Sequence, residues 1–407
     1  MEVKDSKPMS SKAVNHKPKI VILGKYYDPV QGGTEEYAKI CAHSLANVGE
    51  VHVVCFGETS KTTYEKVEGI DVVRCGRIAE VMSQPISFSM IRELRRLKPD
   101  LIIYNAPNYI GALAILLASR ASKIMVVHHS DVFGRKLVRD LAHPFHLAVL
   151  KRSSVVIVNS LRNVKTAIDL PATDLPVISI PLGLRESDYL IDDDIRNAAN
   201  ELRGRLKTSF IAGFIGRHVR YKGLNIIVEA IAKTQDIGCV IVGDGPKRSE
   251  AEELAVTLGV RDRIVFLGSV EHREKLIALE AMDAVLLPSV DKAEAFGLVQ
   301  IEGQLLEKPV IISDLPTGVR DITQPNISGL MVRTGDVDSL ADALNLLARN
   351  PETARAMGAE GRKIAQNKFT DKVFSHRLNQ LVAKVIGGEV SHAYSDTLRS
   401  VKLAADI

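Results

Sequence analysis

Tryptophan is absent, and aromatic residues make up only 5% of the 407-residue chain. With no aromatics interleaved among its basic residues, the chain lacks a stacking platform for bases, which argues against nucleic acid as its partner. Cysteine is scarce too: Cys41, Cys55, Cys75 and Cys239 are scattered and form no CxxC pair, which excludes a disulfide scaffold and a zinc ribbon. The longest apolar stretch, 110–118, falls far short of the ~20 residues a membrane helix needs. Residues 1–18 (MEVKDSKPMSSKAVNHKP) have no apolar h-region and read as a disordered tail rather than a signal peptide. A cytoplasmic location is the expectation.

The formal charge of +4 is modest but unevenly placed. Between Arg74 and Arg152, 13 basic residues face 5 acidic ones. One half of the chain is therefore expected to meet something anionic, a phosphorylated acceptor or a membrane surface. Residues 90–98 read as a helix with Ile91, Leu94 and Leu97 on one side and basic residues on the other. A second basic segment, 135–152, carries Leu137, Leu141, Phe145 and Leu150. Such helices can lie in an anionic interface, on the cytoplasmic membrane's inner face; the alternative is that their apolar sides pack on a sheet.

The length exceeds what one hydrophobic core fills, so two domains are expected. Short, continuous β-branched runs alternate with helix-period segments. In the first half they fall at 19–24, 51–56, 100–105, 123–129, 154–160 and 177–181; in the second at 210–216, 239–245, 264–268, 284–289, 309–313 and 329–332. Continuous rather than alternating runs indicate parallel strands buried on both faces. The expected fold is α/β, with two tandem Rossmann-like, doubly wound parallel-sheet domains facing across a cleft. The boundaries read as 19–190 for the first domain, 191–206 for a charged linker and 207–370 for the second domain. Residues 371–407 form a last helix and tail that can pack back across the junction.

In such sheets ligands bind beyond the carboxyl ends of the strands, so the residues following each run carry the information. After the first run, Gly32 and Gly33 precede a helix opening at Thr34, where free N–H groups suit an anion. After the fourth come His128, His129, Ser130 and Asp131; a histidine there can hydrogen-bond a sugar hydroxyl or phosphate, or satisfy loop carbonyls. The first run of the second half leads into Arg217-His218-Val219-Arg220-Tyr221-Lys222-Gly223, cations placed to hold a diphosphate. The most specific string is AEAFGLVQIE at 293–302. With a helix beginning near Phe296 or Gly297, Glu294 lies in the loop and Glu302 inside the helix. The N–H groups of Phe296, Gly297 and Leu298 are then free for a phosphate, and Glu302 can accept from a vicinal diol. Asp192-Asp193-Asp194 contains an Asp-x-Asp of the kind that holds a metal-bound diphosphate. Its position ahead of a helix-like stretch instead assigns it to a helix N-terminus.

At these residues the chain resembles the retaining glycosyltransferases of family 4, enzymes of the two-Rossmann-domain B fold. The resemblance runs from Lys19 to about Phe369 and rests on Gly32-Gly33, the His-Ser-Asp at 129–131, Arg217 with Lys222, the Gly-Asp-Gly-Pro at 243–246, and Glu294 with Glu302. Within the family the strings look most like bacterial mannosyltransferases that build O-antigen and other surface polysaccharides. The resemblance implies a donor site mainly on the second domain, for a GDP- or UDP-sugar, with a glycan or polyprenyl-diphosphate-linked acceptor on the first. It implies no cofactor and no metal. By position, Arg217 and Lys222 would grip the diphosphate with Gly33 opposite. Glu294 would bind the transferred sugar, Glu302 the ribose, and His129 the sugar near its reacting carbon; Gly32, Phe296, Gly297, Leu298, Gly243 and Asp131 would complete the binding set. Two other readings stay open: a sugar-nucleotide epimerase or phosphorylase of the same architecture, and a non-catalytic nucleotide-sugar-binding partner.

Overall fold

The structure is a computed structural model, and it describes residues 17–30, 32–81, 84–129, 136–171, 174–390 and 396–397. Two sheets carry it. The first runs in the order Asp396–Thr397, Pro176–Ser179, Val155–Val158, Lys123–His128, Leu101–Ala106, Lys19–Leu23, Glu50–Phe56, Ile70–Cys75 and Thr63–Val67. Its pairings are parallel except at the two edges. The second runs Ile264–Gly268, Ile237–Val242, Phe210–Ile215, Ala284–Leu287, Val310–Ser313 and Gly329–Val332, and all its pairings are parallel. Counted along each domain's parallel strands, both sheets begin 3-2-1-4-5-6, the doubly wound order. The order reverses beside the first strand of each domain, between Lys19–Leu23 and Leu101–Ala106 and between Phe210–Ile215 and Ala284–Leu287. A crevice opens at such a switch point, and the loops carrying Arg217 and Glu294 leave the two strands flanking it.

Each sheet is covered on both faces by an apolar cluster, which is why its strands read as continuous apolar runs. The hairpin Thr63–Val67 and Ile70–Cys75 is absent from the sequence expectation because Asp71 and Arg74 interrupt the inner strand and the outer one is mostly exposed.

Two expectations change. The charged segment 191–206, expected as a linker, is the helix Asp193–Leu206. Asp192 caps it by accepting the Ile195 N–H at 2.7 Å, and Asp193 and Asp194 occupy its first turn, where carboxylates offset the helix dipole. Ile195, Ala199, Leu202 and Leu206 bury into the second domain's core. The basic helix of 90–98 spans Ser89–Leu97, and its apolar side is already occupied: Met90, Leu94 and Leu97 are buried in the first domain's core and Ile91 packs against it. Arg92 and Arg96 instead hydrogen-bond the buried Glu93, Arg96 at 2.7 Å. In the second basic helix, Lys136–Arg152, Val149 and Leu150 are core residues. No described helix is long and apolar enough to cross a membrane.

The chain passes between domains twice, and the two passes pair. The Leu184 N–H donates to the Phe369 carbonyl at 2.8 Å and the Asp371 N–H to the Leu184 carbonyl at 3.0 Å. The returning helix Asp371–Gly387 then buries Phe374, Leu378, Leu381, Val382 and Val385 in the first domain. Gly183 permits the approach, since a Cβ there would stand 2.0 Å from the Thr370 carbonyl oxygen. Gly183→Ala is therefore expected to lower stability by about 1–3 kcal/mol, the usual cost of overpacking. Urea unfolding checks this, and an unchanged midpoint would show that the two passes separate freely.

Candidate active site

Lys222 and Glu294 meet at the switch point of the second sheet. The Lys222 Nζ lies 2.5 Å from Glu294 Oε2, which also accepts the Ser289 hydroxyl at 2.8 Å, and the carboxylate side chain is 7% exposed. Two turns fix the pair. The Val290 N–H donates to the Tyr221 carbonyl at 2.7 Å, tying the loop after Ala284–Leu287 to the Arg220–Lys222 turn. Gly223 ends that turn in the left-handed region (φ +73°), where a Cβ would also stand 2.3 Å from the Pro288 carbonyl oxygen. Thr317 donates its hydroxyl to the Glu294 carbonyl at 2.8 Å. Among the described residues Glu294 Oε1 has no partner, so one carboxylate oxygen remains for a ligand.

Arg217 is exposed, and among the described residues its side chain makes no hydrogen bond or ion pair. Its loop is braced from below. The His218 N–H donates to the Asp244 carbonyl at 2.8 Å, and the Lys247 N–H donates to the His218 carbonyl at 2.9 Å. Gly243 (φ +116°) passes so close that a Cβ would stand 2.0 Å from the Gly216 carbonyl oxygen. The Gly-Asp-Gly string at 243–245 thus seats the Arg217 loop. His218 is fully buried, and burial holds its imidazolium pKa below the usual value.

The helix after Glu294 spans Val299–Leu305 and opens later than expected. Gly297 sits at φ +78°, a left-handed conformation that cannot continue a helix, with a would-be Cβ 2.4 Å from the Leu287 side chain. The backbone N–H groups of Phe296, Gly297, Leu298 and Val299 consequently have no acceptor among the described residues. The Phe296 ring is buried against Phe369, so what this residue can offer a ligand is its backbone. Leu298 packs against the cores of both domains and brings this loop to the first domain.

Glu302, with Gly32, Gly33 and Leu298, lines a cavity of about 610 Å³ between the domains. Its Oε1 accepts from the Lys275 Nζ at 2.8 Å and the Tyr189 hydroxyl at 2.9 Å, while Oε2 has no partner among the described residues. Burial would raise the carboxyl pKa, but Lys275 and Tyr189 outweigh it and hold the group below the ordinary value. Sequence reasoning missed both partners. They lie 27 and 113 residues from Glu302, and nothing local marks them. Gly32 caps the helix Gly33–Leu45, whose first turn carries Glu35 and Glu36. Those carboxylates already offset the dipole that would attract a phosphate to Gly33.

His129 lies just past Lys123–His128 and packs edge-on against Tyr37, their ring centroids 4.9 Å apart. Its Nε2 meets Asn105 Oδ1 at 2.9 Å, while Asn105 Nδ2 turns to the Leu23 carbonyl. Nε2 therefore carries the proton and Nδ1 the lone pair. Burial, then the neighbouring His128, pushes its pKa down to about 3, so the ring is neutral at physiological pH. It can accept a hydrogen bond but brings no charge to a phosphate. Asp131 lies outside the described residues. Among the described residues no three histidine, cysteine or acidic side chains are grouped to hold a metal ion.

Comparison with known proteins fits this geometry. The model of glycosyltransferase family 4 matches residues 31–184, and that of the glycosyl transferases group 1 matches residues 198–364. The chain is a glycosyltransferase whose two halves match these two models. It is 27% identical over 348 residues to the O-antigen chain mannosyltransferase C of Escherichia coli, covering 85% of this chain and 92% of that one. It is 26% identical to a D-rhamnosyltransferase of Pseudomonas aeruginosa, covering 85% and 90%. Sucrose-phosphate synthase of Thermosynechococcus elongatus shares the fold with a TM-score of 0.75 at 21% identity, over 91% of this chain and 100% of that one.

Two expectations follow for this transferase. Lys222→Ala and Glu294→Ala should each cost about a hundredfold in turnover, and the double variant little more, because the pair acts as a unit. Arg217→Ala, free of that pair, should multiply the loss; steady-state kinetics on the single and double variants would overturn the assignment if the Lys222 and Glu294 losses simply multiplied. For Glu302, the depressed pKa means the charged form is lost only as pH falls through that lowered value. Lys275→Met should weaken nucleotide binding about tenfold and move the acid-side loss of binding to higher pH. Calorimetric titration with GDP and UDP across pH 4–7 reads both, and an unshifted acid limb would separate Lys275 from Glu302.

Proposed function

We propose that the protein is a retaining hexosyltransferase that moves a mannose-like sugar from a GDP- or UDP-sugar to a glycan or polyprenyl-diphosphate-linked acceptor in surface-polysaccharide synthesis. The observation that carries this reading is the Lys222–Glu294 pair at the switch point, one carboxylate oxygen open beside unpaired N–H groups. Lys222, Arg217 and those N–H groups would bind the diphosphate, where negative charge grows as the bond between the sugar C1 and the phosphate oxygen breaks. Glu294 Oε1 would accept from the hydroxyls of the transferred sugar, His129 Nδ1 from another, and Glu302 Oε2 from the ribose. The acceptor oxygen would then bond C1 on the face the phosphate leaves, its proton passing to the departing phosphate oxygen. The mannosyl and rhamnosyl activities named for the two relatives support a hexose of that kind.

Lysine and arginine would here do the work that a metal does in other transferases. Transfer from a panel of GDP- and UDP-hexoses should therefore survive excess EDTA, and NMR of the product should show the donor's anomeric configuration. Loss restored by magnesium or manganese would remove the metal-free mechanism, and inversion would remove the retaining one. Sugar interconversion without an acceptor would identify an epimerase, and binding with no nucleotide released a non-catalytic partner.

A further inference from the structure

On the far side of the Glu294 loop a cluster of hydrogen bonds fastens the two domains. Ser160, 1% exposed, caps the helix Leu161–Thr166 by accepting the Arg162 N–H and donates its own hydroxyl to Asp321 Oδ2. The Arg162 Nε donates to Asp321 Oδ1 at 2.7 Å. Asn163 Oδ1 accepts the Gly318 N–H at 2.9 Å. All three bonds join a first-domain turn to the second-domain helix Val319–Ile322 and its lead-in. One residue before Gly318, Thr317 holds the Glu294 carbonyl. Gly318 is packed between the two sides, since a Cβ there would stand 2.7 Å from Ser160 Cβ, 2.8 Å from the Ala295 carbonyl oxygen and 2.9 Å from the Phe296 ring.

We propose that Asp321 and Gly318 are positioning residues, forming a latch through which closure of the domains sets the Glu294 loop. The inference rests on the reading of Glu294 as a donor-sugar ligand. When the first-domain turn engages Asp321, it presses Gly318 against Ala295 and Phe296 and seats the backbone that aims the Glu294 carboxylate. When the domains part, that pressure ends while the Lys222 bond remains, so the open form holds a carboxylate that is still paired but less sharply aimed. Nucleotide binding at Glu302, on the cavity side, does not depend on the latch. Misplacement on the ångström scale is enough to slow a reaction tenfold to a hundredfold.

The test uses the full-length protein with Asp321→Ala and, separately, Gly318→Ala, each first shown by its melting curve to be folded. Turnover should fall at least tenfold in both, with affinity for free nucleotide within twofold of the unaltered protein. Solution scattering should show both variants more expanded than the unaltered protein. Unchanged turnover, or turnover and nucleotide affinity falling together, would overturn the positioning role. Unchanged scattering in both variants would overturn the latch. Scattering does not require activity, so an inactive parent protein would count against the transferase reading while the latch is still decided by its dimensions.

Discussion

A lysine and a glutamate that are both largely withdrawn from water must be kept together, and much of the second domain's cleft architecture serves that requirement. An uncompensated charge at either position would be costly, whereas the paired charges, with Ser289 on the same oxygen, are tolerable. The spacing of the pair is set by backbone rather than by the long lysine stem. The Val290 to Tyr221 hydrogen bond, the close pass of Gly223 beneath the Pro288 carbonyl and the Thr317 bond to the Glu294 carbonyl each remove one freedom from the two loops. What is left over, among the described residues, is one carboxylate oxygen, one free arginine and a run of unpaired N–H groups, an arrangement set before any ligand arrives.

The same economy governs the junction between domains. The chain crosses twice, the crossings hydrogen-bond to one another at Leu184, and the helix after the second crossing is part of the first domain's core. The paired crossings form one junction between the domains, while Leu298 and the Asp321 contacts span the cleft elsewhere. Tyr189, just beyond the first crossing, hydrogen-bonds Glu302, so that junction and the Glu302 end of the cavity share a residue.

The doubly wound fold was legible because strands buried on both faces leave continuous apolar runs, and twelve short runs separated by helices admit few other architectures. The loop positions of Arg217, Lys222 and Glu294 were legible for a related reason: they follow strands that flank the switch points. The supports were not. Lys275, Tyr189, Ser160 and Asp321 act on partners far away in the chain, and an isolated lysine on the helix His272–Ala281 carries no sign of the carboxylate it will meet. The start of the helix after Glu294 was misread because a favourable string can hide a glycine whose left-handed backbone delays the helix to Val299.

The charge asymmetry of the first half misled for a different reason. A count of basic residues treats each as available to a partner, yet most of those whose side chains are described are committed within the fold. Arg74 reaches Glu65 and the Tyr27 and Asp28 carbonyls, and Arg77 reaches Glu80 and the Glu58 carbonyl. Arg95 and Arg152 donate to the carbonyls of Leu117, Ser119 and Arg120, near the end of the helix Tyr109–Ala118. Lys123 donates to Val385 and Ile386 at the end of the returning helix, where the dipole is negative. Part of the positive charge thus answers carboxylates, and part answers backbone oxygens near helix ends. Arg217, exposed and outside that basic stretch, makes no such bond among the described residues, so its charge is not committed within the fold.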